Sequence, residues 1–172
     1  PKFVPATATK IEIEDFCANI RMIDCVGYVI KAAKGYEDEN GPRYVMTPWY
    51  SDPIPFTEAA EIGTEKVIKD HSTIGIVITT DGSIGEMSRS NYVEAEEKVI
   101  TELKSLNKPF IVILNSTHPN SDATINIKNE IINNYDYFCV APYDVHINVI
   151  IAVYRMLAKL DRYDEIKAIL RE

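Results

Sequence analysis

The sequence predicts an α/β protein built on a doubly wound, mostly parallel sheet with one antiparallel edge strand. Three observations predict it. Two apolar runs, IGIVIT from Ile74 and FIVIL from Phe110, are unbroken by polar residues. A strand written that way is covered on both faces, which is the habit of parallel sheets flanked by helices. The stretches between such runs are amphipathic at helical spacing, so strand and helix alternate along the chain. At 172 residues, the chain has material for one α/β core and little for two, so residues 1–172 are read as a single domain.

The elements follow in order. TKIEIEDF, Thr9 to Phe16, alternates apolar and charged residues and reads as a half-exposed strand near a sheet edge. Asn19 to Cys25 reads as a second strand, antiparallel to the first. Residues 34–56 mix glycine, proline, acids and aromatics without a period and read as a long loop insertion. Its tryptophan, Trp49, lies between Tyr44 and Tyr50 with prolines on both sides. Aromatics so held suit either an interface or packing over the domain's own core.

Thr57 to Asp70 is helical, with Thr57 as N-cap and Ala60, Ile62 and Val67 facing inward. Ile74 to Thr79 is a strand. Asn91 to Leu106 is a helix with Val93, Val99, Ile100, Leu103 and Leu106 on one face. Phe110 to Leu114 is a strand, and Asp122 to Tyr135 a helix capped by Ser121. A strand at Phe138 to Ala141, a helix at Val145 to Leu160 and a short helical piece at Tyr163 to Arg171 complete the order.

Composition removes several function classes. A net charge of −8 argues against binding a phosphate backbone, since that affinity comes from Lys and Arg. No apolar run approaches the roughly 20 residues needed to cross a bilayer. Three cysteines, Cys17, Cys25 and Cys139, sit in apolar surroundings without a C-x-x-C pair and read as reduced, buried thiols. His71, His118 and His146 lack metal-ligand spacing. No G-x-S-x-G elbow occurs, and no glycine or aromatic signal for a flavin. Glu94, Glu96 and Glu97 read as a solvated helix face beside Lys98 and Lys104.

Ligands of open α/β sheets sit at the carboxyl ends of the strands. The polar groups expected there are Asp24 to Gly27, Thr79 to Gly82, Asn115 to Thr117 and Pro142 to Asp144. Asp24 and Gly27 form a D-x-x-G. A carboxylate there can accept a hydrogen bond from a water on Mg²⁺, and a glycine lets the backbone N–H approach a terminal phosphate. The same four residues also serve as ordinary turn chemistry. No G-x-x-x-x-G-K-[ST] occurs, so the chain as it stands has no phosphate-cradling loop.

Three runs carry a resemblance: RMIDCVGYVIKAAKGYEDENGPRYVMTPWY, PIPFTEAAEIGTEKVIKDHSTIGIVITTDGSIGEM and NYVEAEEKVITELKSLNKPFIVILNST. They resemble the stage IV sporulation protein A family of endospore-forming bacteria, over roughly the first 120 residues. The resemblance implies a cytosolic ATPase of the translation-factor-like P-loop class. Such a protein uses ATP and Mg²⁺ to polymerise on the forespore surface, in the mother cell, as the basement layer of the spore coat. Its implied partners are copies of itself and other coat and spore-surface proteins, without nucleic acid or membrane insertion. In that family the phosphate loop and a threonine-bearing switch precede PKFVP, so this chain resembles the central part of the ATPase domain.

The resemblance further implies that Asp24 is the metal-ordering carboxylate and Gly27 the γ-phosphate glycine. Thr79, Thr80 and Asp81 are expected to line the same edge, with Asn115 and Ser116 on the base side. A guanine-reading relative would carry N-K-x-D where this chain has Asn115-Ser116-Thr117-His118. Without that carboxylate, guanine's two donors have no acceptor, which favours adenine. In fold terms the chain is expected to be P-loop-NTPase-like but to lack the phosphate-loop strand, whose place is between the Asp24 strand and the Ile74 strand. The apolar edge so exposed would lead the isolated chain to self-associate, rearrange its sheet or need the missing segment. The alternative reading is a noncatalytic assembly module that binds through residues 34–56.

Overall fold

The computed structural model describes residues 5–13, 16–30, 32–39, 41–135 and 139–140. The chain opens with a hairpin, β1 (Thr9–Ile13) and β2 (Phe16–Ile20), antiparallel from Ile13↔Phe16 out to Thr9↔Ile20. The second strand was expected at Asn19 to Cys25. The register moves it earlier, because pairing that starts at Ile13↔Phe16 is used up when β1 ends opposite Ile20. Residues 21–27 therefore continue without a ladder partner. The hairpin forms its own two-stranded sheet and is not an edge of the parallel sheet.

The insertion is more ordered than its composition suggests. β3 (Glu37–Asp38) pairs with β4 (Gly41–Pro42), and β5 (Tyr44–Val45) with β6 (Ile54–Pro55), both antiparallel. The Arg43 N–H donates to the Tyr36 carbonyl (2.9 Å), and the Phe56 N–H to the Arg43 carbonyl (2.7 Å). The last bond also explains where α1 (Phe56–Lys66) begins. Backbone satisfies the first orphan N–H, so Pro55 is the N-cap in place of the expected Thr57, and no side chain caps the helix. Trp49 lies over α1, with its ring 3.5 Å from where a Cβ on Gly63 would stand and Lys66 Nζ 5.6 Å from its centroid.

The helix passes into a π-helical turn, Val67–His71. Its carbonyls are taken up by the Ser72 N–H and hydroxyl and by Lys108 Nζ, which donates to Lys69 and Ser72. β7 (Gly75–Thr80) then runs parallel to β8 (Phe110–Asn115), and β8 parallel to β9 (Cys139–Val140). Between β7 and β8 lies α2 (Val93–Ser105), entered through a 3₁₀ turn at Arg89–Asn91. It ends in a Schellman motif: the Lys108 N–H bonds the Leu103 carbonyl and the Asn107 N–H that of Lys104, with Asn107 at φ +52°. Between β8 and β9 lies α3 (Asp122–Tyr135), where Ser121 Oγ accepts the Thr124 N–H at 3.2 Å, the cap its sequence predicts.

Val77 of β7 and Phe110, Val112 and Leu114 of β8 share one sheet face. They pack with Ile100 and Leu103 of α2, Ile131 of α3 and Ile68 of the π turn. On the opposite face, Ile76 and Ile78 lie in register with Ile111 and Ile113. The β8 pair is fully buried, but Ile78 is 63% exposed. Cover on both faces thus holds for β8 and fails for β7, the outermost strand of this sheet among the described residues. The expected helices at Val145 to Leu160 and Tyr163 to Arg171 lie outside the described residues, as do Pro142 to Asp144.

Candidate functional site

The carboxyl edge of β7 and β8 gathers most of the expected polar residues. Thr80 stands opposite Asn115, and the Asp81 N–H reaches the Asn115 carbonyl at 3.3 Å. The chain then turns at Gly82, whose φ of +88° and whose missing Cβ are both required: a Cβ would lie 2.7 Å from the Arg89 nitrogen. The Gly82 N–H donates to Thr80 Oγ1 at 3.1 Å.

Asp81 is the hub of this edge. Its carboxylate accepts the Ser83 N–H (2.9 Å), the Ser83 hydroxyl (2.6 Å), the Thr124 hydroxyl (2.8 Å) and the Ser116 hydroxyl. Desolvation pushes the carboxyl upward, but the donors from Ser116, Ser83 and Thr124 outweigh it and hold the group at about 2. Ser83 Oγ also accepts the Thr117 N–H, and Ser116 Oγ the His118 N–H, both at 2.9 Å. These bonds tie the loop after β7 to the loop after β8 and the start of α3. The Asp81 carboxylate is already satisfied by this chain, so its present role is to fix the two loops.

Thr79, buried, accepts Arg89 Nη1 at 2.9 Å. The same guanidinium grips Glu96 with two bonds, of 2.6 and 2.8 Å. Glu96 is 4% exposed, which corrects its reading as part of a solvated face; Glu94 and Glu97 are exposed as expected. Helical rotation turns Glu96 towards the sheet, where only a paired charge is tolerated. The Tyr135 hydroxyl donates to Glu96 Oε1 at 3.2 Å, and burial together with the Glu96 charge pushes that phenol well above its ordinary value.

Asp24 and Gly27 lie on a different stretch. Asp24 is exposed on the coil after β2, and it has no hydrogen bond or ion pair among the described residues. Gly27 has φ +78°, with nothing within 4 Å of where a Cβ would stand. Both are thus accessible to a hydrated cation and a phosphate. The next residue, Tyr28, lies against α2 at Lys98 and Glu102. Thr79 instead reaches α2 through Arg89 and Glu96, about 9 Å away from Glu102 along the helix axis. The structure therefore joins Thr79, Thr80, Asp81, Asn115 and Ser116 and does not join Asp24 and Gly27 to them.

Cys17 and Cys25 are exposed, against the expectation of burial, because the hairpin and the coil after it lie outside the main core. No group of three or more His, Cys, Asp or Glu side chains is placed to hold a metal ion among the described residues. A Mg²⁺ ordered through water by one carboxylate needs no such group. The sequence does not single out Arg89, Ser83 or Thr124, and it offers Glu96 only as part of a solvated face. Their one signal is S-x-x-T, the cap at Ser121, which places Thr124 but not its bond to Asp81.

No helix of the described residues is long and apolar enough to cross a membrane. No solved structure matches the chain. Sequence comparison is more informative. The family profile described as "Stage IV sporulation protein A, ATPase domain" matches residues 1–161, further than the resemblance first read from the sequence. The chain is 58% identical over 137 residues to stage IV sporulation protein A of Bacillus subtilis (strain 168), covering 79% of this chain and 28% of that protein. It is 56% identical over 142 residues to that of Bacillus anthracis, covering 82% and 29%. Against that of Clostridioides difficile (strain 630) it is 51% identical over 137 residues, covering 79% and 28%. The chain therefore spans less than a third of the length of these relatives. At this identity and coverage, the chain belongs to the stage IV sporulation protein A ATPase-domain family.

Proposed function

We propose that this chain is the central part of an ATP-hydrolysing morphogenetic protein that polymerises to form the basement layer of the spore coat. The reading is carried by one observation: in a chain of this ATPase-domain family, the D-x-x-G carboxylate is exposed and unengaged among the described residues, beside a glycine open on its Cβ side. Bound Mg²⁺ would neutralise charge on the transferring phosphoryl group. Asp24 would accept a hydrogen bond from a water of its shell, and the Gly27 N–H would donate to the terminal phosphate. The phosphate-cradling loop is absent from these residues, so the reading concerns the longer protein.

Thr79, Thr80, Asp81, Asn115 and Ser116 fit better as the frame of the nucleotide edge than as direct ligands of the metal. The side-chain hydrogen bonds of Thr79, Thr80, Asp81 and Ser116 are made within the chain, and the Asn115 carbonyl accepts the Asp81 N–H. His118, exposed where a guanine-reading relative has Asp, leaves the adenine assignment chemically open to backbone and stacking contacts. The place of action in this reading is the mother-cell cytoplasm at the forespore surface, with other coat proteins as partners.

The test is ATP turnover and polymer sedimentation by the full-length protein and its Asp24→Ala variant. Turnover is expected to fall by about 100-fold, with ATP-driven sedimentation falling alongside. Unchanged turnover sinks the metal role. A second reading, a noncatalytic assembly module, is favoured by the exposure of Tyr44 (60%) and Met46 (66%) on the insertion. Polymerisation that proceeds equally without ATP would support that reading instead.

A further inference from the structure

The stretch that carries Asp24 and Gly27 has little holding it. Residues 21–30 belong to no strand or helix, and Met22 and Val26 are 64% and 68% exposed. Gly27 at φ +78° is a natural swivel. A coil so built would not hold a carboxylate or an N–H in one place unless something outside the backbone anchored it.

Tyr28 supplies the anchor. Its hydroxyl donates to Glu102 Oε2 on α2, and Lys98 Nζ lies 4.4 Å from its ring centroid. Lys98 is itself 2.7 Å from Glu61 of α1, so the ring is fixed where two helices meet. Glu102 Oε1 is buried and has no hydrogen-bond partner among the described residues. Loss of the phenol would leave the other oxygen without this donor as well, which makes the contact costly to break. Burial, and then the Glu102 carboxylate, push the phenol well above its ordinary value, so it remains a donor throughout the neutral range. Tyr28 follows Gly27 directly, with consecutive Cα atoms about 3.8 Å apart, so the docked ring tethers the backbone beside the glycine.

We propose that Tyr28 is a positioning residue: by docking on Glu102 and Lys98 it holds the Asp24–Gly27 segment at one orientation relative to α1 and α2, and so sets the rate of hydrolysis rather than the affinity for nucleotide. This rests on the reading of Asp24 and Gly27 above. A consequence is that a shift of α2 and a shift of the D-x-x-G segment are one motion.

The experiment uses the full-length protein with Tyr28→Phe, Glu102→Ala and Glu102→Gln, and the Tyr28→Phe/Glu102→Ala double variant. Amide exchange over residues 21–30, ATP kcat and KM, and thermal unfolding are measured on each. Tyr28→Phe and Glu102→Ala are expected to speed exchange in that segment and to lower kcat by roughly tenfold, with KM for ATP within about twofold. The double variant should be no worse than either single one. Glu102→Gln, which keeps an acceptor, should recover most of kcat. Wild-type exchange in Tyr28→Phe overturns the proposal, as does faster exchange with unchanged kcat. Losses that add in the double variant, in step with lowered melting, reduce Tyr28 to a structural residue and overturn it too. If Asp24→Ala turns over ATP normally, the reading of Asp24 fails by itself, and the exchange measurement still decides whether Tyr28 holds the segment.

Discussion

Arg89 closes both terminal nitrogens on the carboxylate of Glu96, at 2.6 and 2.8 Å, and spends one of them on Thr79 as well. This fork ties the loop after β7 to the first turns of α2 from inside the protein. Its geometry is planar and bidentate, the form in which an arginine is not replaceable by lysine.

Arg89→Met removes one half of a nearly buried pair, with side-chain exposures of 20% and 2%. Leaving Glu96 buried without its partner is expected to cost about 3 kcal/mol in urea unfolding of the full-length protein. Arg89→Met combined with Glu96→Met should recover much of that loss, because no uncompensated charge then remains. Additive losses would show that the fork is not a coupled unit.

Asp81 gives a pH signature. Its folded value of about 2 lies below the ordinary 3.8, so the contribution is complete above the unfolded value and is lost as pH falls through the folded one. The urea midpoint should therefore decline from about pH 4 to about pH 2 more steeply in wild type than in Asp81→Ala. At neutral pH, Asp81→Ala removes the acceptor shared by Ser83, Ser116 and Thr124, of which Thr124 keeps the His118 carbonyl, at a cost of about 2 kcal/mol.

Two glycines mark places where added bulk should be felt. Gly82→Ala would need φ +88° and bring a Cβ to 2.7 Å from the Arg89 backbone. Gly75→Ala would place one 2.9 Å from Leu103 Cδ2 of α2 and 3.1 Å from Phe110 Cβ of β8. Each is expected to destabilise by about 1–3 kcal/mol in chemical unfolding. Gly27→Ala, with open space around it, meets only the φ penalty.

The exposed carboxylate of Asp24 separates stability from activity. Asp24→Ala should leave unfolding within about 0.5 kcal/mol of wild type, since nothing among the described residues bonds to it. Chelation of Mg²⁺ should abolish ATP turnover of the full-length protein and leave its melting in the absence of nucleotide unchanged. A large stability loss in Asp24→Ala would assign the residue to the fold.

Trp49 is the sole tryptophan of the chain, so its fluorescence reports the docking of the insertion on α1. Lys66→Ala removes the cation 5.6 Å from its ring and should shift emission to the red with little change in unfolding, about 0.5 kcal/mol at this surface. Emission unmoved by Lys66→Ala, or already that of free tryptophan, would mean that the insertion does not rest there in solution.

The residue pattern is enough to set the alternation of parallel strands and helices from Phe56 to Tyr135. Continuous apolar runs such as FIVIL and helical spacings such as Val99, Ile100, Leu103 record burial directly, and Ser121 records a cap. Family membership was equally legible, since long runs such as PFTEAAEIGTEK carry it without reference to shape. The rest comes from contacts made on folding. Whether Phe16 or Asn19 starts β2 depends on the register in which the hairpin pairs, and so does the ladder that stops short of Asp24. Glu96 reads as one acid among three until helix rotation brings it to Arg89. Asp81 reads as a possible ligand until Ser83, Ser116 and Thr124, spread over 42 positions, converge on it. A periodic pattern reports how one residue meets solvent; a pairing between distant side chains is a property of the folded chain, and no local pattern encodes it.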